Sequence, residues 1–167
     1  MPTTVRAAAP IPLPIEACWE KFRDLTRAKD YVPGLTDTVI TTEKTEGVGA
    51  SRIVSHAQFG DMNETVVQWD EGVGMTIRLH KGDKGPSPMK TGSFRYEFKR
   101  AGEGTEIHTA LTYEMPLGVL GRLLDALVLR RVFQRNVGDT AACLAENYRT
   151  DRPVPASAVA GLRRNLL

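Results

Sequence analysis

Cysteine and histidine are scarce in this chain, and no apolar stretch in it is long. The two cysteines, Cys18 and Cys143, lie far apart, so a disulfide scaffold has nothing to build on. No CxxC or Cys/His cluster offers zinc a site. Free thiols in a reducing compartment are the expectation. The three histidines, His56, His80 and His108, form neither HxH nor HxxxH, so no metal is expected. No organic cofactor is expected either. Gly47-Val-Gly-Ala50 lacks a following helix and is not a phosphate loop, and no Ser-His-Asp or Cys-His set assembles from the sequence. The longest apolar run, Leu117 to Leu129, is broken by Arg122 and Asp125 and falls short of a bilayer span. The stretch Met1 to Arg6 has no charged region followed by an apolar one, so no secretory signal is visible and a cytoplasmic protein is expected. Charge of one sign is lacking as well. Lys+Arg number 22 and Asp+Glu 20, a net charge of +2, which argues against a nucleic-acid partner.

What is present is enough for one domain. The 167 residues, 41% of them hydrophobic, can bury a core without staples. Residues 3–9 suit a first strand that the prolines Pro10, Pro12 and Pro14 would stop. From Ile15 the pattern turns helical, with Ile15, Cys18, Trp19 and Phe22 on one face. A second short helix is expected over Thr26 to Tyr31, ending before Pro33-Gly34.

Between Leu35 and Met115 the texture changes to short segments rich in Val, Ile, Thr and aromatics, separated by Gly-containing turns. Six strands are expected there, at about 36–45, 49–57, 62–70, 75–81, 91–100 and 105–115. The last two alternate cleanly. Phe94, Tyr96 and Phe98 share one face of the first of them. Ile107, Thr109, Leu111, Tyr113 and Met115 share one face of the second. After Pro116 comes the longest periodic segment, Val119 to Arg149. Leu120, Leu123, Leu124 and Leu127 begin an apolar stripe there. Phe133, Val137, Ala141, Leu144 and Tyr148 continue it. Gly138 interrupts that helix at a cost of about 1 kcal/mol. A domain over 1–150 and a tail over 151–167, with a short helical turn near its end, complete the expectation.

The resulting fold class is α+β: a seven-stranded curved antiparallel sheet wrapped around a long C-terminal helix, with two short helices between the first and second strands. Such a sheet and helix leave a concave, apolar space suited to a small molecule. Val66, Ile77, Phe94, Phe98, Leu111, Phe133 and Val137 are its expected walls, with Thr109 among them.

The polar candidates are few. If Val66 faces inward, alternation brings Glu64 and Gln68 inward too, and Glu64 becomes a candidate acid or base. The other reading has Glu64 at a rim or paired with an arginine. In the third strand Arg52, Val54 and His56 share one parity, while Ile53 and Ala57 share the other. Alternation there is weak and tips toward Ile53 and Ala57. If it falls the other way, Arg52 would pair with Glu64 or hold a ligand oxygen, and His56 would move protons. The hydroxyls of Tyr96 and Tyr113 would either bond a ligand or sit at the rim of an aromatic cluster. His80 and His108 read as surface or structural groups. The arginines at 130, 131 and 135 read as a solvated helix face, with contact to anionic lipid headgroups the lesser alternative.

Several motifs carry a family resemblance. Pro14-Ile-Glu-Ala-Cys-Trp19, Tyr31-Val-Pro-Gly34, Gly47-Val-Gly-Ala50, Asn63-Glu-Thr-Val66 and Gly102-Glu-Gly-Thr105 occur in this order. Their order and spacing resemble the START-like (SRPBCC, helix-grip) superfamily, in particular its polyketide cyclase/dehydrase-like branch. Tyr31 stands where a Trp is commoner, and Thr109 where a bulky aromatic is often found. The resemblance implies a cavity rather than one reaction, since its members include carriers, receptors and cyclases. Binding of a hydrophobic or aromatic small molecule (a lipid, isoprenoid or polyketide) is therefore the first expectation. The alternative is a cyclase or dehydratase drawing acid and base from Glu64, Arg52, His56 and the tyrosines. Neither a monomer nor a homodimer is selected by the sequence.

Overall fold

A computed structural model of the chain describes residues 2–116, 118, 123 and 128–167. Seven strands form one antiparallel sheet: β1 (Thr3–Ile11), β2 (Leu35–Ile40), β3 (Ser51–His56), β4 (Gly60–Asp70), β5 (Gly74–His80), β6 (Thr91–Ala101) and β7 (Gly104–Glu114). Their order is β1-β7-β6-β5-β4-β3-β2, so the strands from β2 to β7 pair in succession and β1 closes onto β7. Two short helices, α1 (Ile15–Phe22) and α2 (Ala28–Tyr31), stand between β1 and β2, joined by a 3-10 turn at Leu25–Arg27. The long helix α3 (Arg130–Thr150) lies against β1 and β7.

The expected stop at Pro10 is corrected. β1 runs through Pro10 to Ile11, opposite Glu106 and Thr105. It is an edge strand, and a proline there costs no ladder bond when its nitrogen faces away from the partner. β2 ends at Ile40, short of the expected 45, and β3 begins at Ser51 rather than 49 because Gly49, at positive φ, belongs to the loop before it.

In β7 burial alternates residue by residue, with Thr105, Ile107, Thr109, Leu111 and Tyr113 all inward. In β4 the register shifts between Val66 and Gln68. A bulged residue reverses the facing of the residues after it. Glu64 and Val66 are therefore buried, Gln68 is exposed rather than inward, and Trp69 returns to the core side. There the Trp69 ring meets Trp19 of α1 edge-on at 5.0 Å. The indole N–H groups of Trp19 and Trp69 both donate to the Glu71 carboxylate, at 3.0 and 2.7 Å.

The stripe on α3 holds from Phe133 onward: Val137, Ala141, Leu144 and Tyr148 are buried. Its expected beginning differs, because Leu123 is 57% exposed. Leu120, Leu124 and Leu127 lie outside the described residues. At Gly138 a Cβ would come 3.0 Å from Leu166 Cδ1 and 3.9 Å from the Ala7 Cβ, so the small residue lets helix, strand and C-terminal segment approach. The chain after α3 folds back. It contains α4 (Val159–Leu162) between two 3-10 turns, at Ala156–Ala158 and Arg163–Asn165. The Leu167 N–H donates to the Ala8 carbonyl at 2.9 Å, and Arg163 forks onto Asp139 at 2.5 and 2.8 Å.

Candidate functional site

β3 and β4 place Arg52 and Glu64 directly opposite each other. The Arg52 Nε donates to Glu64 Oε2 at 2.6 Å, and the two side chains are 2% and 10% exposed. Arg52 Nη1 donates to the Leu25 carbonyl, also at 2.6 Å. Asp24 sets that carbonyl's direction: its Oδ1 accepts from the Thr26 N–H at 3.0 Å and from the Thr26 hydroxyl at 2.6 Å, capping the turn. The Tyr31 ring lies nearby, and the Arg52 charge favours its ionised form against the effect of burial. A guanidinium this deep is tolerable only with partners, and here a carboxylate and a backbone carbonyl supply them. Burial opposes its charge most, but Glu64, with Tyr31 and Tyr96 nearby, holds the Arg52 pKa above its ordinary value. Burial pushes the Tyr31 phenol up to about 12, so it stays neutral.

Around this pair the interior is aromatic. Phe22 meets Tyr96 and Phe98, each at 5.1 Å, and Tyr31 meets Tyr96 and Tyr148, each at 6.4 Å. Phe98 stacks on Tyr148 at 6.2 Å, and Tyr113 meets Phe133 at 4.7 Å. Burial raises the phenols of Tyr96 and Tyr148 well above the usual range. The Tyr148 hydroxyl is buried and has no hydrogen-bond partner among the described residues. Such a group costs about 1–3 kcal/mol until something meets it.

The weak alternation of β3 falls against Ile53 and Ala57. Arg52 and Val54 are buried, Ile53 is half-buried and Ala57 exposed. The reason is that Glu64 supplies a partner directly across the ladder, which makes a charge acceptable at a core position. His56 shares that parity but lies further along, opposite Gly60, and does not join the pair. Its ring sits over Gly34, where a Cβ would come 2.4 Å from Nε2. It accepts from the Gln58 N–H at 3.1 Å and stacks beside Phe59 at 4.6 Å. Val66, Ile77, Tyr96, Phe98, Leu111, Tyr113 and Val137 are buried on the inner face, and Phe94 and Phe133 are partly buried against them. Thr109 is buried with its hydroxyl tying sheet to helix, to the carbonyls of Val137 at 3.2 Å and Ala7 at 3.3 Å. His80 bridges Thr65 and Gly82, and His108 pairs with Glu106, both as structural groups.

Three members of the cluster escape a reading of the sequence for site residues: Tyr31, Tyr148 and the Leu25 carbonyl. For Tyr31 the available signal is its place in the Tyr-Val-Pro-Gly turn. For Tyr148 it is its position on the α3 stripe. Beside Leu25 a depression of about 290 Å³ opens, lined by Arg23, Asp24, Leu25, Thr26, Ile40 and Glu46.

The family model described as "Polyketide cyclase / dehydrase and lipid transport" matches residues 2–149. The chain belongs to this family. Its fold is Bet v 1-like, as similar solved structures show. TTHA0849 from Thermus thermophilus superposes with a TM-score of 0.70 at 22% identity, over 89% of this chain and 99% of that one. Ara h 8.0201 gives 0.65 at 15% identity, over 90% and 99%. A Thermobifida fusca protein gives 0.65 at 17% identity, over 87% and 92%. No curated protein matches the sequence. The family and the fold it shares support a hydrophobic-ligand-binding fold. Among the described residues no helix is long and apolar enough to cross a membrane.

Proposed function

We propose that the protein binds a small hydrophobic or aromatic molecule bearing one polar group, of lipid, isoprenoid or polyketide type, between the sheet and α3. The walls would be Val66, Ile77, Phe94, Phe98, Leu111, Phe133 and Val137. The observation that carries this reading is the buried Tyr148 hydroxyl, without a hydrogen-bond partner among the described residues and set in an aromatic interior beside Tyr31 and Phe98. An apolar ligand gains affinity from the walls, and its hydroxyl or carbonyl would satisfy Tyr148 at little cost.

Binding is favoured over the cyclase alternative by the position of His56. Acid/base work needs proton-moving groups to converge on one reacting atom. His56 stands over Gly34 rather than beside Glu64, and the Glu64 carboxylate is engaged by Arg52.

The test uses anilinonaphthalene sulfonate fluorescence, with displacement by farnesol and by its hydrocarbon counterpart farnesene, alongside native mass spectrometry. Both isoprenoids should displace the dye. Tyr148→Phe should weaken farnesol by about tenfold and leave farnesene unchanged, since only the former loses a hydrogen bond. Absence of any adduct together with no displacement by either compound refutes the reading.

A further inference from the structure

A second open space lies where β1, the first turns of α3 and the C-terminal segment meet. It is a groove of about 590 Å³ lined by Arg6, Ala7, Arg130, Arg131, Gln134, Arg135, Gly138, Arg163, Leu166 and Leu167. Five of these ten residues are arginines and none has an acidic side chain. Arg163 is held by Asp139. The guanidinium groups of Arg6, Arg130, Arg131 and Arg135 meet no carboxylate among the described residues. Arg23, Arg27, Arg95, Arg100 and Arg149 do, while Arg78, Arg152 and Arg164 also have none but are not among the residues lining the groove. Four cations with no carboxylate partner among the described residues repel one another around one groove unless an anion sits between them.

The floor of the groove is different in kind. Ala7, Gly138, Leu166 and Leu167 are apolar or small. The absence of a side chain at 138 lets Leu166 lie down on the helix. The Gln134 amide donates to the Arg6 carbonyl at 2.5 Å, and Leu167 is pinned to Ala8, so the walls are tied together. Residues 163–167 lie beyond the stretch that the family model matches, so one wall comes from a segment outside the family's shared domain. The site is separate from the interior cluster and does not depend on what binds there.

We propose that this groove binds a phosphate-bearing amphiphile, the arginine forks taking the phosphate and Leu166, Leu167 and Ala7 taking the start of the apolar chain. Planar guanidinium groups match phosphate oxygens in pairs, and several together select phosphate over a single carboxylate. A bilayer headgroup and a soluble phosphorylated lipid both supply such a phosphate, and the same chemistry recognises either.

The experiment titrates the full chain with dihexanoylphosphatidic acid below its micelle concentration, and with inorganic pyrophosphate, by amide NMR. Cosedimentation with phosphatidylcholine vesicles, with and without phosphatidylglycerol, forms the second arm. Saturable shifts at Arg6, Gly138 and Leu166 are expected. The lipid should bind about tenfold more tightly than pyrophosphate because only it covers the apolar floor. The double variant R131E/R135E should lose the shifts and any cosedimentation while melting as the wild type does, since both residues are exposed. Binding to anionic vesicles assigns the bilayer as the source, and binding to the monomeric lipid alone assigns a soluble ligand. No saturable shift with lipid and no cosedimentation overturns the proposal. Equal binding by the double variant, or by vesicles without phosphatidylglycerol, overturns it too.

Discussion

Replacing Arg52 by methionine probes the buried pair that anchors the interior. Glu64 would be left 10% exposed without its cation, and the Leu25 carbonyl would lose a donor at 2.6 Å. Removing one partner of a buried ion pair costs about 3–5 kcal/mol. Against a total stability of about 5–15 kcal/mol that is a large fraction. At about 2–4 °C per kcal/mol for a chain of this length, the melting temperature should fall by roughly 6–20 °C. Glu64→Leu, which strands the guanidinium instead, should cost a similar amount. The double variant R52M/E64L removes both charges and keeps the volume apolar, so it should return to within about 2 kcal/mol of the wild type. Urea unfolding followed by circular dichroism, on all four proteins, gives the coupling energy. If the double variant loses the sum of the two single losses, the reasoning is wrong. It is equally wrong if either single variant costs less than about 1 kcal/mol, the range of an exposed pair.

Two further outcomes are expected. Gly74→Ala would drive a Cβ to 2.1 Å from the Tyr96 carbonyl, and since that atom is backbone, the β5–β6 ladder must open. A loss of about 2–3 kcal/mol in urea unfolding is expected, and an unchanged midpoint would contradict the geometry. His56 is held below its ordinary 6.5 by burial, with the Pro33 carbonyl acting in the opposite direction. The folded state therefore binds fewer protons than the unfolded chain. The stability owed to His56 is complete above pH 6.5 and is lost as the pH falls through the folded value. Melting of wild type and His56→Gln between about pH 7.5 and pH 5.5 should show a steeper acid-side decline in the wild type, and parallel curves would refute this.

The architecture is legible in the sequence because its periodicities are clean. The alternation in Phe94–Phe98 and Ile107–Tyr113, and the stripe from Phe133 to Tyr148, each reproduce the burial seen. What alternation misjudges has physical causes that act across strands. Arg52 occupies a core position because Glu64 faces it, and that register is invisible until the strands are paired. Local alternation turns Gln68 inward because nothing in the sequence marks the bulge at Val67. Pro10 reads as a stop because a strand's place at the sheet edge is a property of topology, not of sequence. The Tyr31–Tyr148 contact joins two helices at opposite ends of the chain, so no local pattern announces it. The arginines of the outer groove are visible singly, but Arg6 and Arg163 join the helical cluster only in three dimensions.

The pairing of β1 with β7, from Thr3 against Tyr113 to Ile11 against Thr105, has a consequence for how the molecule is made. Among the seven described strands, the first synthesised has its sheet neighbour in the last. Until then Val5, Ala9 and Ile11 have no sheet to bury them, and α3, which covers β1 and β7, is synthesised later still. Contacts of such sequence separation slow folding, because loop closure comes before its reward. During synthesis β2 to β6 can zip hairpin by hairpin, whereas the closure of β1 onto β7 is a late and cooperative event.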